Sequence, residues 1–247
     1  MLLYDSAFVD GSNLAHRCFV DCEKDEKTFL TSLETANKYI VSLRNRFLHQ
    51  TSDMYFLYDN ALSGLRRRKE LDPNYKGHRE KMPGVFFEFH DRLRQDFKGF
   101  RLQGYEADDI LFLVLKRKAK GKSLLISSDV DWSAYVTESI DWYDMRRVYD
   151  LVMFHHEFRF PPSAIWLWKT VTGDVSDNIP SGCLRFPMKI FREIADTCRT
   201  PDDLFADTRV PSHWREALEE SRERIELNWQ LVSPKIPLEQ EIFQLFA

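Results

Sequence analysis

At 247 residues, with 43% hydrophobic, 14% aromatic and 30% charged side chains, the chain has the composition of a folded protein able to bury a full core. No apolar run reaches the ~18 residues of a membrane span, the opening MLLYDSAFVDG lacks the marks of a signal peptide, and Cys18, Cys22, Cys183 and Cys198 lack metal-ligand spacing, so a monomeric cytoplasmic protein with free thiols is expected. The net charge of −4 would disfavour a polyanionic partner only if the two signs were evenly mixed, and they are not.

The opening reads as a strand over Ala7–Val9, followed by a helical pattern over Thr28–Leu48 and a second strand over Met54–Tyr58. Between Asn60 and Lys81 seven positive charges face three negative ones, with little apolar periodicity, which predicts a basic element projecting from the surface. A helix over Val85–Phe97, a short strand pattern at Phe100–Leu102 and a helix over Ala107–Lys118 come next. Strands at Ser123–Ser127 and Ile140–Trp142 complete the alternation expected of βαβ units and a parallel sheet. Pro161 and Pro162 introduce a helix over Ser163–Thr172, and a further helix is predicted over Trp214–Gln230. Beyond about residue 160 the pattern is mainly helical, which places a subdomain boundary there.

The acids are not scattered. Asp10, Asp59 and Asp129 each follow a predicted strand, at the carboxyl edge where parallel α/β sheets place their ligand crevice. Asp131 follows Asp129 by two residues and, in an extended exit, points to the same side. Glu106, Asp108 and Asp109 open the Ala107 helix, and Asp174 and Asp177 in GDVSDN stand one helical turn apart and can converge on one point. One such acid alone would be a cap or a turn residue; several segments delivering acids to one sheet edge is a different matter. Nine carboxylates with no histidine or cysteine partner favour Mg²⁺ or Mn²⁺ over zinc, and two such ions would clamp a phosphodiester. Metal ions are therefore expected opposite Glu106, Asp108 and Asp109. Without the nine acids the remaining chain carries +5.

FVDGSN (Phe8–Asn13), LYD (Leu57–Asp59), DPNYKGHR (Asp72–Arg79), YEADD (Tyr105–Asp109), SSDVDW (Ser127–Trp132) and GDVSDNIP (Gly173–Pro180) occur in an order that resembles the 5′-nucleases of the flap endonuclease type, bacteriophage 5′→3′ exonucleases above all. The resemblance implies an α/β fold with a PIN-like parallel sheet core flanked by helices over residues 1–160, crossed by a basic arch at about 60–84. It also implies a helical DNA-binding subdomain with a C-terminal return over 161–247. Asp10, Asp59, Glu106 and Asp108 would serve one metal group, and Asp109, Asp129, Asp131, Asp174 and Asp177 a second. Lys76, Arg79 and Lys169 would act on the scissile phosphate, and Tyr75 belongs to the arch motif. An ammonium point charge and a guanidinium fork suit a phosphoryl transition state. Arg66, Arg67, Arg68, Lys69 and Tyr75 are expected to face DNA from the arch.

One segment departs from the pattern. Where relatives carry a glycine-rich hairpin that binds duplex backbone and a monovalent cation, this chain has IPSGCLRFPMKI with Gly182 alone. Glycine lets backbone amides approach a phosphate, so Cys183, Leu184 and Phe186 are expected to obstruct that approach. Arg185 and Lys189 would then hold DNA by less directional attraction, without a K⁺ site. The expected activity is divalent-metal-dependent 5′→3′ exonuclease or 5′-flap cleavage of DNA. A ribonuclease acting on RNA–DNA hybrids and a non-catalytic DNA-binding module are the alternatives. The terminal EQEIFQLFA reads as an amphipathic tail packing on its own core.

Overall fold

The computed structural model describes residues 3–20, 25–60 and 64–246. Five strands form one sheet: β1 (Tyr4–Asp10), β2 (Leu48–Leu57), β3 (Ser123–Ile126), β4 (Ile140–Tyr143) and β5 (Val148–Tyr149), in the order β2-β1-β3-β4-β5. The first four run parallel, and β5 pairs antiparallel at the edge. Alternation along the strands divides the core. Phe8, Leu57, Leu125 and Trp142 face one side. Ala7, Val9, Phe56, Leu124, Ile126 and Tyr143 face the other.

The second face is covered by α1 (Gly11–Cys18), α2 (Asp25–Phe47) and α4 (Gly84–Asp96), whose Leu14, Ile40, Leu43, Phe86 and Phe89 enter that cluster. The first face is covered by α5 (Ala107–Lys118) and, beyond α6 (Leu151–Phe158), by α7 (Ile165–Thr172). Fully burying one such Leu, Ile or Phe contributes roughly 1.5–3 kcal/mol. Further helices α8 (Met188–Ile194), α9 (Pro201–Ala206), α10 (Ser212–Glu220) and α11 (Arg222–Val232) extend the same cluster, which therefore crosses residue 160 without a break. The tail forms α12 (Glu239–Phe246); Leu245 is buried, Phe246 packs edge-on against Phe100, and the Tyr105 hydroxyl donates to Glu241 at 2.7 Å.

Several sequence-based expectations change. The helix predicted over Trp214–Gln230 is two helices, because Ser221 departs from helical geometry between α10 and α11. The helix predicted from Ser163 begins with a 3₁₀ turn at Pro162–Ala164, and α7 starts at Ile165. Phe100–Leu102 makes one parallel bridge, Leu57 to Phe100, and no strand. Cys18, Cys183 and Cys198 are buried free thiols, whereas Cys22 lies outside the described residues. No described helix is long and apolar enough to cross a membrane.

The basic segment does not project. Residues 61–63 of the expected arch lie outside the described residues, and α3 (Gly64–Leu71) carries the arginines. Leu65, Arg68 and Leu71 share one helical face at i, i+3 spacing and turn inward. Leu65 and Leu71 pack with Tyr75 against Ile179, Leu227, Leu231 and Val232.

Candidate active site

The parallel register brings the strand ends level: Asp10 pairs with Leu57, and Val9 with Ile126. Asp10 closes β1 and caps α1; its Oδ1 accepts from the Asn13 N–H and its Oδ2 from the Ser127 hydroxyl, both at 2.8 Å. Asp59, two residues beyond β2, accepts from the Ala107 N–H at 2.8 Å, while its own N–H donates to Ser12 Oγ at 2.9 Å. Glu106 is the N-cap of α5, whose dipole favours the acids there. Asp129 caps a 3₁₀ turn over Val130–Tyr135 and accepts from the Asp131 N–H at 3.0 Å. That turn, and not the expected extended exit, presents both side chains.

Seven of the nine acids line one cavity of about 130 Å³: Asp10, Asp59, Glu106, Asp108, Asp129, Asp131 and Asp177. Lys76 and Arg79 stand on its wall. Asp174 lies just behind, holding Lys169. Gly173 makes the turn into GDVSDN possible: its φ is +82°, and a side chain there would meet the Ile179 carbonyl at 2.6 Å.

Cations already occupy the convergence points. Lys169 Nζ lies 2.6 Å from Asp131 Oδ1, 2.8 Å from Asp174 Oδ2 and 3.9 Å from Asp129 Oδ1. Lys76 Nζ lies 2.7 Å from Glu106 Oε1 and 3.7 Å from Asp177 Oδ2. Arg79 donates to Asp177 Oδ1 at 2.6 Å. Lys76 adopts φ +52°, costly for a residue with a side chain, and its N–H is tied to the Asp177 carbonyl at 2.8 Å. Asp174 and Asp177 thus serve different cations, contrary to the expected single point.

Arg68 is the largest correction. Expected to face DNA, it is 1% exposed and sits opposite the opening acids of α5. It bonds Glu106 Oε2, reaches Asp109 Oδ1 at 2.8 Å and stands 3.5 Å from Asp108. An arginine fork, and not a metal ion alone, answers that acidic cluster. Tyr75, also placed with the DNA-contacting residues, is buried, and its hydroxyl donates to Glu106 at 3.1 Å and Asp177 at 3.0 Å. Asp109, assigned to the second metal group, turns away: it accepts from the Glu106 N–H at 3.0 Å, from Arg68, and from the Lys235 N–H at 2.8 Å. It ties α3, the start of α5 and the segment that follows α11 together. Arg66, Arg67, Lys69, Arg185 and Lys189 are exposed.

Truncating Arg68 while leaving Glu106 and Asp109 in place strands buried carboxylates, a change that typically costs about 3–5 kcal/mol. Arg68→Ala is therefore expected to lower unfolding stability by that amount in urea melts. A loss below about 1 kcal/mol would show that the cluster is solvated in solution.

The electrostatics follow from crowding. Burial, then the charge of Asp59, pushes the Asp10 carboxyl up to about 7, against the pull of the Asn13 and Ser127 donors. Burial, then Glu106, raises Asp59. Burial raises Asp131 to about 7 with Asp129 adding to it, although Lys169 opposes. Glu106 is the exception: Lys76 and Arg68 overcome its burial and lower it to about 2. Burial disfavours the Lys76 charge, but Glu106 and Asp177 outweigh it and hold the ammonium well above its usual range.

Among the described residues no three His, Cys, Asp or Glu side chains are already drawn around one point as metal ligands are. The donor chemistry nevertheless suits a hard divalent cation: every acid is an oxygen donor, several repel one another, and ammonium groups stand where the charge is greatest.

Sequence reasoning missed His16, Ser12, Asn13 and Trp132 on the cavity wall. Ser12 Oγ also lies 3.2 Å from His90 Nε2. His16 follows Ser12 by four residues and shares its face of α1; its ring lies tilted against Phe86, with centroids 4.5 Å apart. Burial, aided by Arg79, lowers its pKa. In the altered hairpin segment Cys183 and Phe186 are buried in the core, so Leu184 alone of the three expected obstructions projects.

The family model for the 5′-3′ exonuclease N-terminal, resolvase-like domain matches residues 5–159. Flap endonuclease Xni of Vibrio cholerae is 24% identical over 240 residues, spanning 94% of this chain and 91% of that protein. A 5′-3′ exonuclease of Mycoplasmopsis pulmonis is 22% identical over 183 residues, 69% of this chain and 59% of that one. In fold, the bacteriophage T5 5′-exonuclease solved with zinc matches with a TM-score of 0.67 at 24% identity, over 92% of this chain and 88% of that one. Flap endonuclease-1 of Methanococcus jannaschii matches with a TM-score of 0.50 at 10% identity, over 93% of each chain. With the acid-lined crevice at the carboxyl edge of a parallel sheet, the chain belongs to the 5′-3′ exonuclease family of nucleases.

Proposed function

We propose that this crevice hydrolyses DNA phosphodiesters near free 5′ ends and at 5′ flaps, with divalent metal, in the cytoplasm. The observation that carries the reading is the convergence of seven acids from separate segments on one cavity with Lys76 and Arg79 on its wall. Asp10, Asp59, Glu106 and Asp108 would hold one ion, and Asp129, Asp131 and Asp174 another, with Asp177 between the groups. Bound Mg²⁺ or Mn²⁺ supplies Lewis-acid polarisation of the phosphate and activation of a water. Lys76 and Arg79 exchange their carboxylate partners for phosphate oxygens and stabilise the charge that develops there. Lys169 yields the Asp131–Asp174 position and turns toward the phosphate.

A neighbouring cavity of about 410 Å³ supports the substrate assignment. Lys69, Lys76, Arg79 and Lys81 line it together with Asp59, Glu80 and Glu106, beside the exposed rings of Phe87 and His16. Cations that follow a backbone, interleaved with rings on which bases stack, suit a single strand. Arg185 and Lys189 would hold the adjoining duplex by charge.

The reading is tested with Mg²⁺ and a 5′-labelled flap, compared with single strand, duplex and an RNA–DNA hybrid. Products cut at the flap junction, together with shorter 5′ trimming products, are expected. Cleavage confined to the RNA strand of the hybrid would replace this reading with the ribonuclease.

A further inference from the structure

The buried face of α4 is apolar at Val85, Phe86, Phe89 and Leu93, yet it carries an imidazole at His90. An apolar side chain there would pack without polar atoms to satisfy, so the ring nitrogens call for partners. His90 is 8% exposed and stands perpendicular to the Tyr58 ring, with centroids 5.3 Å apart. Tyr58 is itself fixed, since its ring fills the space that a side chain at Gly11 or Gly99 would need. His90 Nε2 lies 3.2 Å from Ser12 Oγ, and that oxygen accepts the Asp59 N–H at 2.9 Å. The Ser12 hydroxyl also reaches the Asp59 carboxyl and favours its charged form.

A hydroxyl has one proton and two lone pairs. The Ser12 proton goes to the Asp59 carboxyl, and one lone pair takes the Asp59 N–H. The second lone pair is left for His90, so the ring proton belongs on Nε2. Burial lowers the His90 pKa to about 4 and keeps the ring neutral, with that single proton. His90 therefore bears on Asp59 twice, through the preceding residue Tyr58 and through the serine that holds its N–H.

We propose that His90 is a positioning residue: it sets the Ser12 hydroxyl, and Ser12 keeps the Asp59 carboxyl turned into the crevice. The inference rests on the reading of Asp59 as a ligand in the group with Asp10, Glu106 and Asp108. Groups that orient a metal ligand through a hydrogen bond typically matter by about 10–100-fold in metal affinity.

The test is Mn²⁺ binding without DNA, followed by paramagnetic resonance, with melting curves to check folding. His90→Leu is expected to weaken one class of bound Mn²⁺ by about tenfold and leave the other class unchanged. His90→Gln, whose amide nitrogen reaches about as far as Nε2 and can donate, should restore wild-type affinity. Ser12→Ala should weaken the same class, and the His90→Leu/Ser12→Ala pair should be no weaker than Ser12→Ala, because both changes break one path. Cleavage by His90→Leu should recover at high Mn²⁺. If His90→Leu melts far below wild type, His90→Met, which adapts to the apolar surroundings, takes its place. Unchanged affinity in the apolar variant overturns the proposal, as does a glutamine variant no better than it, or losses that add in the pair. In each of those cases wild type still binds Mn²⁺ and the metal reading stands. Absence of saturable binding by wild type overturns that reading, and the role of His90 with it.

Discussion

Asp129→Ala is expected to lower the single-turnover cleavage rate by about 10³-fold or more, the scale of losing one member of a catalytic unit that acts jointly. Asp129 suits this test because its side chain is 47% exposed, so its removal leaves little cavity and no buried charge behind. DNA affinity should hold or improve, since one negative charge near the phosphate disappears, worth about 1 kcal/mol at 4 Å in water. Asp174→Ala should behave alike in rate, with Lys169 left to Asp131. Cleavage within about threefold of wild type would remove Asp129 from the ligand set; on the rate scale that is under 1 kcal/mol.

Lys76→Ala should slow the chemical step by about 10²–10³-fold, as for one preorganised donor to a developing oxyanion. Binding should change far less, because Arg79, Lys69 and Lys81 still line the neighbouring cavity. Arg68 and Tyr75 still hold Glu106, so the variant should stay folded, which a melting curve checks. Single-turnover rates at saturating protein separate the two effects. A normal rate with a raised dissociation constant would make Lys76 a docking residue.

Much of this site was legible because the relevant signals are local. Strand-end acids at Asp10, Asp59 and Asp129 needed only the strand pattern and the rule that parallel sheets open at their carboxyl edge. The fate of Arg68 was not read, although Leu65 and Leu71 at ±3 positions mark its helical face. The run of four basic residues looked solvated because charge density outweighed that faint periodicity. Asp109 was misassigned because a first-turn acid can be a cap or a ligand with the same sequence signature; here it caps Glu106. His16 stayed hidden because α1 is eight residues long and its pattern merges with the FVDGSN motif. The division of Asp174 and Asp177 between Lys169 and Lys76 depends on Lys76 packing against GDVSDN, a contact between segments about a hundred residues apart.

The most direct measurement is titration of the purified protein with Mn²⁺, followed by calorimetry or by the loss of free-ion paramagnetic resonance, in wild type and in Asp129→Ala. The central claim is that ammonium groups now occupy positions that divalent ions take during turnover. Saturable binding of about two ions by wild type is predicted, with one class weakened strongly in Asp129→Ala and cleavage rising along the same isotherm. No saturable binding by a folded, DNA-cutting protein, or full turnover in chelator, would contradict it.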